Sequence, residues 1–240
     1  MQVMMALITK VLSAKSTNKR TLQTLAGKLV WAARLIRLGR SHTRRLFTFI
    51  STLDHPSQRT TLNDDTRRDL TWWVEFAPYF NGVYPISPPT DFAPLSIDAS
   101  SKAGGGFYMG EGFTVFWEDW PETASLHINF KEVLVLEPAV HLWGHLWTQK
   151  TIYVHSDNQA AVGIINKGYT RNEKVMTSLR RVAWLAANHN FELRAVYYPG
   201  ERNVLADALS RLPTLPAVRT LNNLLGPYFL QNCIKWRTDS

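Results

Sequence analysis

The chain has 240 residues, of which 45% are hydrophobic and 12% aromatic, so we expect a globular protein with a buried core. No apolar run approaches the roughly 18 residues of a membrane span, and the start lacks the pattern of a signal peptide. A single cysteine, Cys233, excludes an internal disulfide and a cysteine-cluster zinc site. This composition predicts an intracellular protein with no membrane partner, without distinguishing cytoplasm from nucleus.

The net charge of +8 is unevenly distributed along the chain. Ten Lys or Arg residues precede Asp54, the first acidic residue, whereas the rest of the chain carries 17 basic and 19 acidic residues. A strongly basic segment joined to a nearly neutral body favours a polyanionic partner, most simply the phosphates of nucleic acid. The alternative is a solvated basic arm without a partner.

Three stretches in the first part of the chain carry apolar residues at helical spacing. They predict helices over 21–40, 41–53 and 61–80, the third of them capped by Asn63. Residues 1–83 are therefore predicted to form a basic helical module. Its candidate phosphate contacts are Lys28, Arg34, Arg37, Arg40, Arg44 and Arg45.

Four prolines within residues 84–94 predict a linker. Beyond it, strand and helix patterns follow one another over 95–212 in the order βββ-α-β-α-α-β-α. This order predicts an α/β domain with a mixed five-stranded sheet and flanking helices. Pro138 should kink the long helix expected over 128–147, and the C-terminal tail, 213–240, gives no clear pattern.

Two aspartates come at the ends of predicted strands. Asp98 ends the strand "LSID", and Asp157 ends the strand "TIYVHSD". Because adjacent parallel strands present their carboxyl ends to one crevice, we expect the two carboxylates to lie close together. They would repel each other unless a cation lay between them. The alternative for Asp157, which is followed by Asn158, is an ordinary helix cap.

The long helix contains two glutamates that helical periodicity separates. The residues four, seven and eleven positions after Glu132 are apolar, so Glu132 lies on the stripe expected to pack on the sheet. An acid on a buried face needs a partner or a metal. Glu137 is followed at helical spacing by His141 and His145, which predicts a solvated face. That spacing could also bind zinc, but a further ligand would be needed.

A fourth acid, Asp207, lies beside the apolar stripe of the last predicted helix, "NVLADALSRL". Carboxylates favour magnesium or manganese, which prefer oxygen ligands. Two such ions roughly 4 Å apart can activate a water and stabilise the leaving oxygen in phosphodiester hydrolysis. The residues alone therefore predict Asp98, Glu132 and Asp157 on one side of a sheet, with Asp207 as a candidate fourth ligand.

Four segments resemble a known family. "SIDAS", "INFKE", "VHSDNQAAVGIINKG" and "YYPGERNVLADALSRL" are similar to the four blocks of the ribonuclease H domain of retroelement reverse transcriptases, most of all gypsy-like and DIRS-like elements. Upstream, "LAGKLVWAARLIRLGRSHTRRLF" and "RRDLTWWVEFAPYFNGV" resemble the thumb and connection that precede ribonuclease H in DIRS-like polyproteins. Together these segments cover residues 21–212.

The resemblance implies a ribonuclease H-like fold and cleavage of the RNA strand of RNA–DNA hybrids. It implies that Asp98, Glu132, Asp157 and Asp207 are catalytic and bind two Mg²⁺ ions, with Mn²⁺ as the alternative. One ion would activate the attacking water and the other would stabilise the 3′-oxygen leaving group. Asn158 and Gln159 would contact the minor groove, where a 2′-hydroxyl distinguishes RNA from DNA.

The sequence departs from the family pattern at Tyr197, where members often carry a histidine that assists proton transfer and product release. We therefore expect slow turnover. Only residues 168–171 separate two predicted helices, so the basic handle helix of some cellular enzymes is missing and substrate grip would fall to residues 1–83.

The polymerase motif (Y/F)xDD is also absent, since "NDDT" at 63–66 follows no strand-like run. No DNA synthesis is expected from this chain alone. It resembles the C-terminal part of a larger reverse transcriptase, whose polymerase portion would be a partner, or a truncated descendant.

Two other readings compete with a ribonuclease H. One is a catalytically silent nucleic-acid-binding module derived from such an element. The other is a related integrase-type or resolvase-type nuclease that acts on DNA, which the block "PGERNVLADALSR" disfavours.

Overall fold

A computed structural model describes residues 2–77 and 94–237, apart from the side chains of Arg37 and Leu38. The chain divides into two units, residues 1–87 and 88–240. Except for Pro94, the linker predicted over 84–94 lies outside the described residues.

The first unit is helical. Its described elements are α1 (Gln2–Ser13), β1 (Thr17–Asn18), α2 (Lys19–Ala32), a 3₁₀ helix (Arg37–His42), α3 (Arg44–Ser51), β2 (Arg59–Thr60) and α4 (Asp64–Phe76). The strands β1 and β2 pair antiparallel. Helix α1 was not predicted. The cap at Asn63 is confirmed, because its Oδ1 accepts a hydrogen bond from the backbone N–H of Thr66 at 2.9 Å.

The helix predicted over 21–40 ends early, at Ala32. Its apolar stripe is buried as expected. The chain then turns so that Trp73 of α4 packs directly on Gly39, where a Cβ atom would overlap the indole ring. The indole N–H of Trp73 donates to the backbone oxygen of His42 at 3.2 Å. A distant tryptophan, rather than local helix propensity, therefore shapes this segment.

The second unit is built on a mixed sheet. Its strands are β3 (Leu95–Ala99), β4 (Ala103–Tyr108), β5 (Glu111–Phe116), β6 (Thr151–Ser156), β7 (Glu192–Tyr197) and β8 (Ile234–Trp236), in the spatial order β7-β6-β3-β4-β5-β8. The pairs β3–β6, β6–β7 and β5–β8 are parallel, and β3–β4 and β4–β5 are antiparallel. The predicted α/β class and mixed sheet are confirmed, but the prediction of five strands was wrong.

Helices flank this sheet. They are α5 (Ile128–Leu134), α6 (Leu136–Trp143), α7 (Gln159–Lys167), α8 (Glu173–Asn188), α9 (Val204–Ser210), α10 (Leu215–Leu225) and α11 (Phe229–Asn232). The long helix predicted over 128–147 is broken at Val135, where the ring of Pro138 would crowd the carbonyl of Leu134. Across residues 2–77 and 94–237, no helix has the length and apolar character needed to cross a bilayer.

Two neighbouring glycines of β4 show that helices lie on both faces of the sheet. A Cβ on Gly104 would meet Val135, between α5 and α6, whereas one on Gly105 would lie 2.5 Å from the backbone nitrogen of Ser210 in α9. Successive residues of a strand point to opposite faces. Helices α5 and α6 therefore cover one face, and α9 approaches the other with its backbone almost in contact.

The C-terminal tail contains α10, α11 and β8 within residues 213–237, where no clear pattern was predicted. Leu221 of α10 packs against Leu209 of α9, and Phe229 joins the same apolar cluster. Strand β8 then pairs with β5 and places Trp236 5.5 Å from the ring of Trp120. A three-residue strand is too short to show periodicity, which is why the sixth strand was missed.

The edge strand β7 is covered at one point by a side chain. The amide of Asn166 in α7 donates to the backbone oxygen of Ala195 at 2.7 Å and accepts from its backbone N–H at 2.9 Å. Both outward-facing backbone groups of that residue are therefore satisfied without a neighbouring strand.

Gly105→Ala should destabilise the protein, because the added methyl would meet backbone atoms of α9 that cannot move cheaply. We expect a loss of about 2–3 kcal/mol in the free energy of unfolding, measured by urea denaturation. Gly163→Ala is the matched control, since Gly163 lies within α7 with nothing within 4 Å of its added methyl. It should stabilise the protein by about 0.5–1 kcal/mol. Equal effects of the two substitutions would contradict the close approach of α9.

Candidate metal centre

Asp98 lies near the end of β3, and it is buried. It is paired in register with Gly105 of β4, and the absence of a side chain there admits helix α9. The hydroxyl of Ser210 in α9 donates to Oδ2 of Asp98 at 2.5 Å. The carboxylate is therefore held inside the protein by a hydroxyl donor.

Glu132 reaches the same place from α5, on the opposite face. Its side chain is buried, as periodicity predicted. Oε1 accepts a hydrogen bond from the backbone N–H of Ala99 at 3.2 Å, and Oε2 accepts a long one, 3.5 Å, from the hydroxyl of Ser156. Because Ala99 ends β3 and Ser156 ends β6, Glu132 is fixed to the carboxyl ends of both parallel strands.

Asp157 follows β6 directly and is exposed to solvent. Its carboxylate lies against Gly200, where a Cβ atom would come within 2.7 Å of Oδ2. The backbone after β7 therefore passes closely over Asp157, and a side chain at residue 200 would displace that carboxylate from its present position.

These three carboxylates form one cluster. One oxygen from each of Asp98, Glu132 and Asp157 lies within 4.8 Å of the others. Burial, followed by the charges of Asp98 and Asp157, raises the pKa of Glu132 to about 9. Burial also raises the pKa of Asp98 to about 6, against the lowering effect of its bond from Ser210. Crowded carboxylates that resist ionisation fit a divalent cation, which favours oxygen donors and relieves their repulsion. The cluster could therefore hold a metal ion.

Asp207, the fourth predicted ligand, lies beside this cluster and not within it. Its side chain is 41% exposed, and its Oδ1 accepts from Nε of Arg211 at 2.7 Å, one helical turn along α9. Its charge nevertheless contributes to raising the pKa of Asp98. The structure thus brings three of the four predicted ligands together and leaves the fourth adjacent, paired with an arginine.

Asn158, which was predicted to contact the minor groove, has a structural role in the fold. Its Oδ1 accepts from the backbone N–H groups of Ala160 and Ala161 and so caps α7. Its Nδ2 donates to Oδ1 of Asn129 at 2.9 Å. The helix cap that was the alternative for this segment is therefore made by Asn158, while Asp157 belongs to the cluster. The neighbouring Gln159 is exposed.

The basic residues predicted to contact phosphate are divided by their surroundings. Lys28, Arg34 and Arg40 are exposed, and Arg44 is half-buried. Arg45 lies 3.6 Å from Asp65 and 3.5 Å from Asp69, so its charge is balanced within the unit. The side chain of Arg37 is outside the described part of the chain.

Helix α2 also exposes an aromatic residue that the sequence reasoning did not select. Trp31 is 62% exposed, three residues after Lys28 and three before Arg34. For Lys28 and Trp31 the signal was present in the sequence, because residues three apart lie on neighbouring positions of a helix surface, whereas Arg34 follows the end of α2. An exposed indole beside a cation is a surface on which a nucleic-acid base could stack.

The prediction that Glu137 is solvated was wrong. Its side chain is 3% exposed, and its Oε1 accepts from Arg181 of α8 at 3.0 Å. Helix α8 packs on α6 and covers this face, which the periodicity of α6 alone does not reveal. His141 and His145 are exposed. Within the described residues, the cluster that could hold a metal does not include these three side chains.

Three residues of the site escaped sequence reasoning. Ser210 donates to Asp98, Gly200 makes room for Asp157, and Asn203 anchors the start of α9 through a bond from Nδ2 to the backbone oxygen of Ile97 at 2.8 Å. Ser210 comes three residues after Asp207, a spacing that places both on one side of a helix. That spacing was the available signal.

Comparison with known protein families gives no match, and comparison with curated proteins gives none. The fold and the site therefore define the class by themselves. It is an α/β protein with a mixed six-stranded sheet and a carboxylate cluster able to hold a metal ion.

Glu132→Gln should remove a pH dependence of stability from the metal-free protein. Folding raises the pKa of Glu132 from 4.5 to about 9, so its contribution is present in full below 4.5 and is lost as the pH rises between these values. In EDTA, the wild type should therefore lose more stability than Glu132→Gln between about pH 5 and about pH 8. Urea denaturation across this range measures the difference. Parallel pH profiles of stability for the wild type and Glu132→Gln would mean that folding does not raise the pKa of Glu132.

Proposed function

We propose that this protein is a metal-dependent endoribonuclease that cleaves the RNA strand of RNA–DNA hybrids, with a ribonuclease H-like fold. The observation that carries the proposal is the cluster of Asp98, Glu132 and Asp157 at the carboxyl ends of the parallel strands β3 and β6. Ligands of open α/β sheets bind at such strand ends. The ordered sequence blocks that contain these residues support the same function.

Asp98, Glu132 and Asp157 would hold a first Mg²⁺ or Mn²⁺, and Asp207, beside Asp98, would contribute to a second. When bound, such ions supply an activated water and neutralise charge on the leaving 3′-oxygen. Glu132 is a rigid ligand, since both of its oxygens are already oriented by donors from the two strands. Asp157 is the exposed member, so it leaves an open side for the substrate phosphate.

Asp207 must exchange Arg211 for the second ion. Their side chains are 41% and 60% exposed, and a solvated pair of this kind contributes only about 0.3–0.5 kcal/mol. The ion pair is therefore a weak competitor.

Binding of the nucleic-acid backbone is assigned to the first unit. Its exposed cations Lys28, Arg34 and Arg40 would contact phosphates, and Trp31 between the first two would stack on a base or sugar. Beside the cluster, the second N–H of Asn158 and the exposed amide of Gln159 would recognise the 2′-hydroxyl. The protein would act as part of a retroelement reverse transcriptase together with a polymerase portion.

A catalytically silent nucleic-acid-binding module is the second candidate. It is favoured by one observation: Asp207 is paired with Arg211 and lies outside the cluster. Tyr197, which stands where the family often has a histidine, is half-exposed at the end of β7.

Cleavage of a labelled RNA–DNA hybrid in Mg²⁺ tests the two candidates. The wild type should cut the RNA strand and leave single-stranded RNA and duplex DNA intact, whereas Asp157→Asn should cut at least about a hundredfold more slowly. Glu118→Gln is the matched control, because Glu118 is an exposed acid in the same unit, outside the cluster.

Each other outcome has a distinct meaning. Tight hybrid binding without cleavage in Mg²⁺ or Mn²⁺ would support the silent module. Cleavage of duplex DNA would point to a DNA nuclease of the same fold. Equal loss in Asp157→Asn and Glu118→Gln would remove the cluster from the mechanism.

Lys28→Ala should weaken hybrid binding in the same proportion for every hybrid sequence. It should also reduce the slope of log K against the logarithm of the salt concentration by about one, the contribution of one phosphate contact. Arg68→Ala is the control, because Arg68 is equally basic but already paired with Asp65 at 2.9 Å. Fluorescence anisotropy at several salt concentrations measures both slopes. Identical slopes for the wild type and Lys28→Ala would exclude a phosphate contact at this position.

A further inference from the structure

We infer that Ser210 is the positioning residue of the metal centre: its hydroxyl holds the Asp98 carboxylate in place within the cluster of Asp98, Glu132 and Asp157. The inference rests on the metal site of the proposed function, and it concerns how that site is assembled.

The hydroxyl of Ser210 has two acceptors within reach. Oδ2 of Asp98 lies at 2.5 Å, and the backbone oxygen of Asp207 lies at 2.9 Å. A hydroxyl has one proton to donate, and a charged acceptor at the shorter distance forms the stronger bond. Ser210 is fully buried, so water does not compete for this proton. The bond stops Asp98 from rotating and leaves its second oxygen available.

The backbone of Ser210 is itself held tightly. Its carbonyl oxygen accepts from the hydroxyl of Ser100 at 2.6 Å, and its nitrogen lies over Gly105. At the other end of α9, Asn203 is bonded to the backbone of Ile97, next to Asp98. The donor therefore belongs to a helix that is bonded at one end to Ile97 of β3 and at the other to Ser100, the residue after β3. Its position relative to Asp98 does not depend on the metal.

This arrangement predicts what the hydroxyl contributes. Without this donor the Asp98 carboxylate would be free to turn, and a cation would then have to reorient it. Removing a residue that orients a metal ligand weakens metal binding by roughly 10–100-fold in characterised sites. Since Asp98 is one of three ligands, we expect a loss of about tenfold at the lower end of that range.

Isothermal titration of the nucleic-acid-free protein with Mn²⁺ and with Mg²⁺ tests the inference. Ser210→Ala should bind the ion about tenfold more weakly than the wild type. Thr114→Val is the matched control: the buried hydroxyl of Thr114 donates to the backbone oxygen of Leu209 in the same helix at 2.9 Å, without touching Asp98. It should lower the stability of the metal-free protein and leave the metal dissociation constant unchanged.

A second variant keeps the test valid if Ser210→Ala fails to fold. Ser210→Cys retains a side chain of similar size and a weaker donor, so its affinity should lie between those of the wild type and the alanine variant. A metal affinity equal to that of the wild type in Ser210→Ala and Ser210→Cys would overturn the inference. An equal loss of metal affinity in Thr114→Val would overturn it too.

The outcomes separate this inference from the proposed function. A wild type that binds Mn²⁺ but does not cleave hybrids would overturn the nuclease and leave the role of Ser210 to be decided by the titration. A wild type that binds neither ion would overturn the metal centre and the role of Ser210 together.

Discussion

The contact between α9 and Gly105 is the constraint on which the arrangement of the site depends. At that point the backbone of a helix touches the backbone of a strand, because no side chain separates them. The approach brings Ser210 to Asp98 and Asp207 to the border of the cluster. Hydrogen bonds from Ser100 and Asn203 join the two ends of the same helix to the chain on either side of Asp98. One glycine therefore sets the distance between elements that are about a hundred residues apart in sequence.

The cluster itself works against folding. Glu132 and Asp98 are buried beside other acids, and the shifts of their pKa values show that ionisation is unfavourable there. Backbone and hydroxyl donors offset part of this penalty, but they leave the repulsion between the carboxylates. A group of residues that destabilises the metal-free fold, yet is supported by dedicated donors, is typical of a functional site.

The sequence was informative where local geometry decides the outcome. Strand ends placed Asp98 and Asp157 together, and the apolar stripe of α5 placed Glu132 towards the sheet. The same reasoning gave the wrong result for Glu137, because Glu137 is covered by α8, whose Arg181 is 44 residues away in sequence. The helix cap that was the alternative role for Asp157 is made by Asn158, and because the two residues are adjacent only the fold separates their roles. Strand β8 and the early end of α2 depend on partners that periodicity cannot identify.

The bond between Asn166 and Ala195 has a consequence for the behaviour of the protein in a crowded solution. An uncovered strand edge is a template on which a second chain can add a strand, the first step of many aggregation routes. At the middle of β7, one amide already occupies the donor and the acceptor that an incoming strand would need. A side chain from α7 thus makes the two hydrogen bonds that one residue of a neighbouring strand would make. The addition of a further strand to β7 is therefore disfavoured at Ala195.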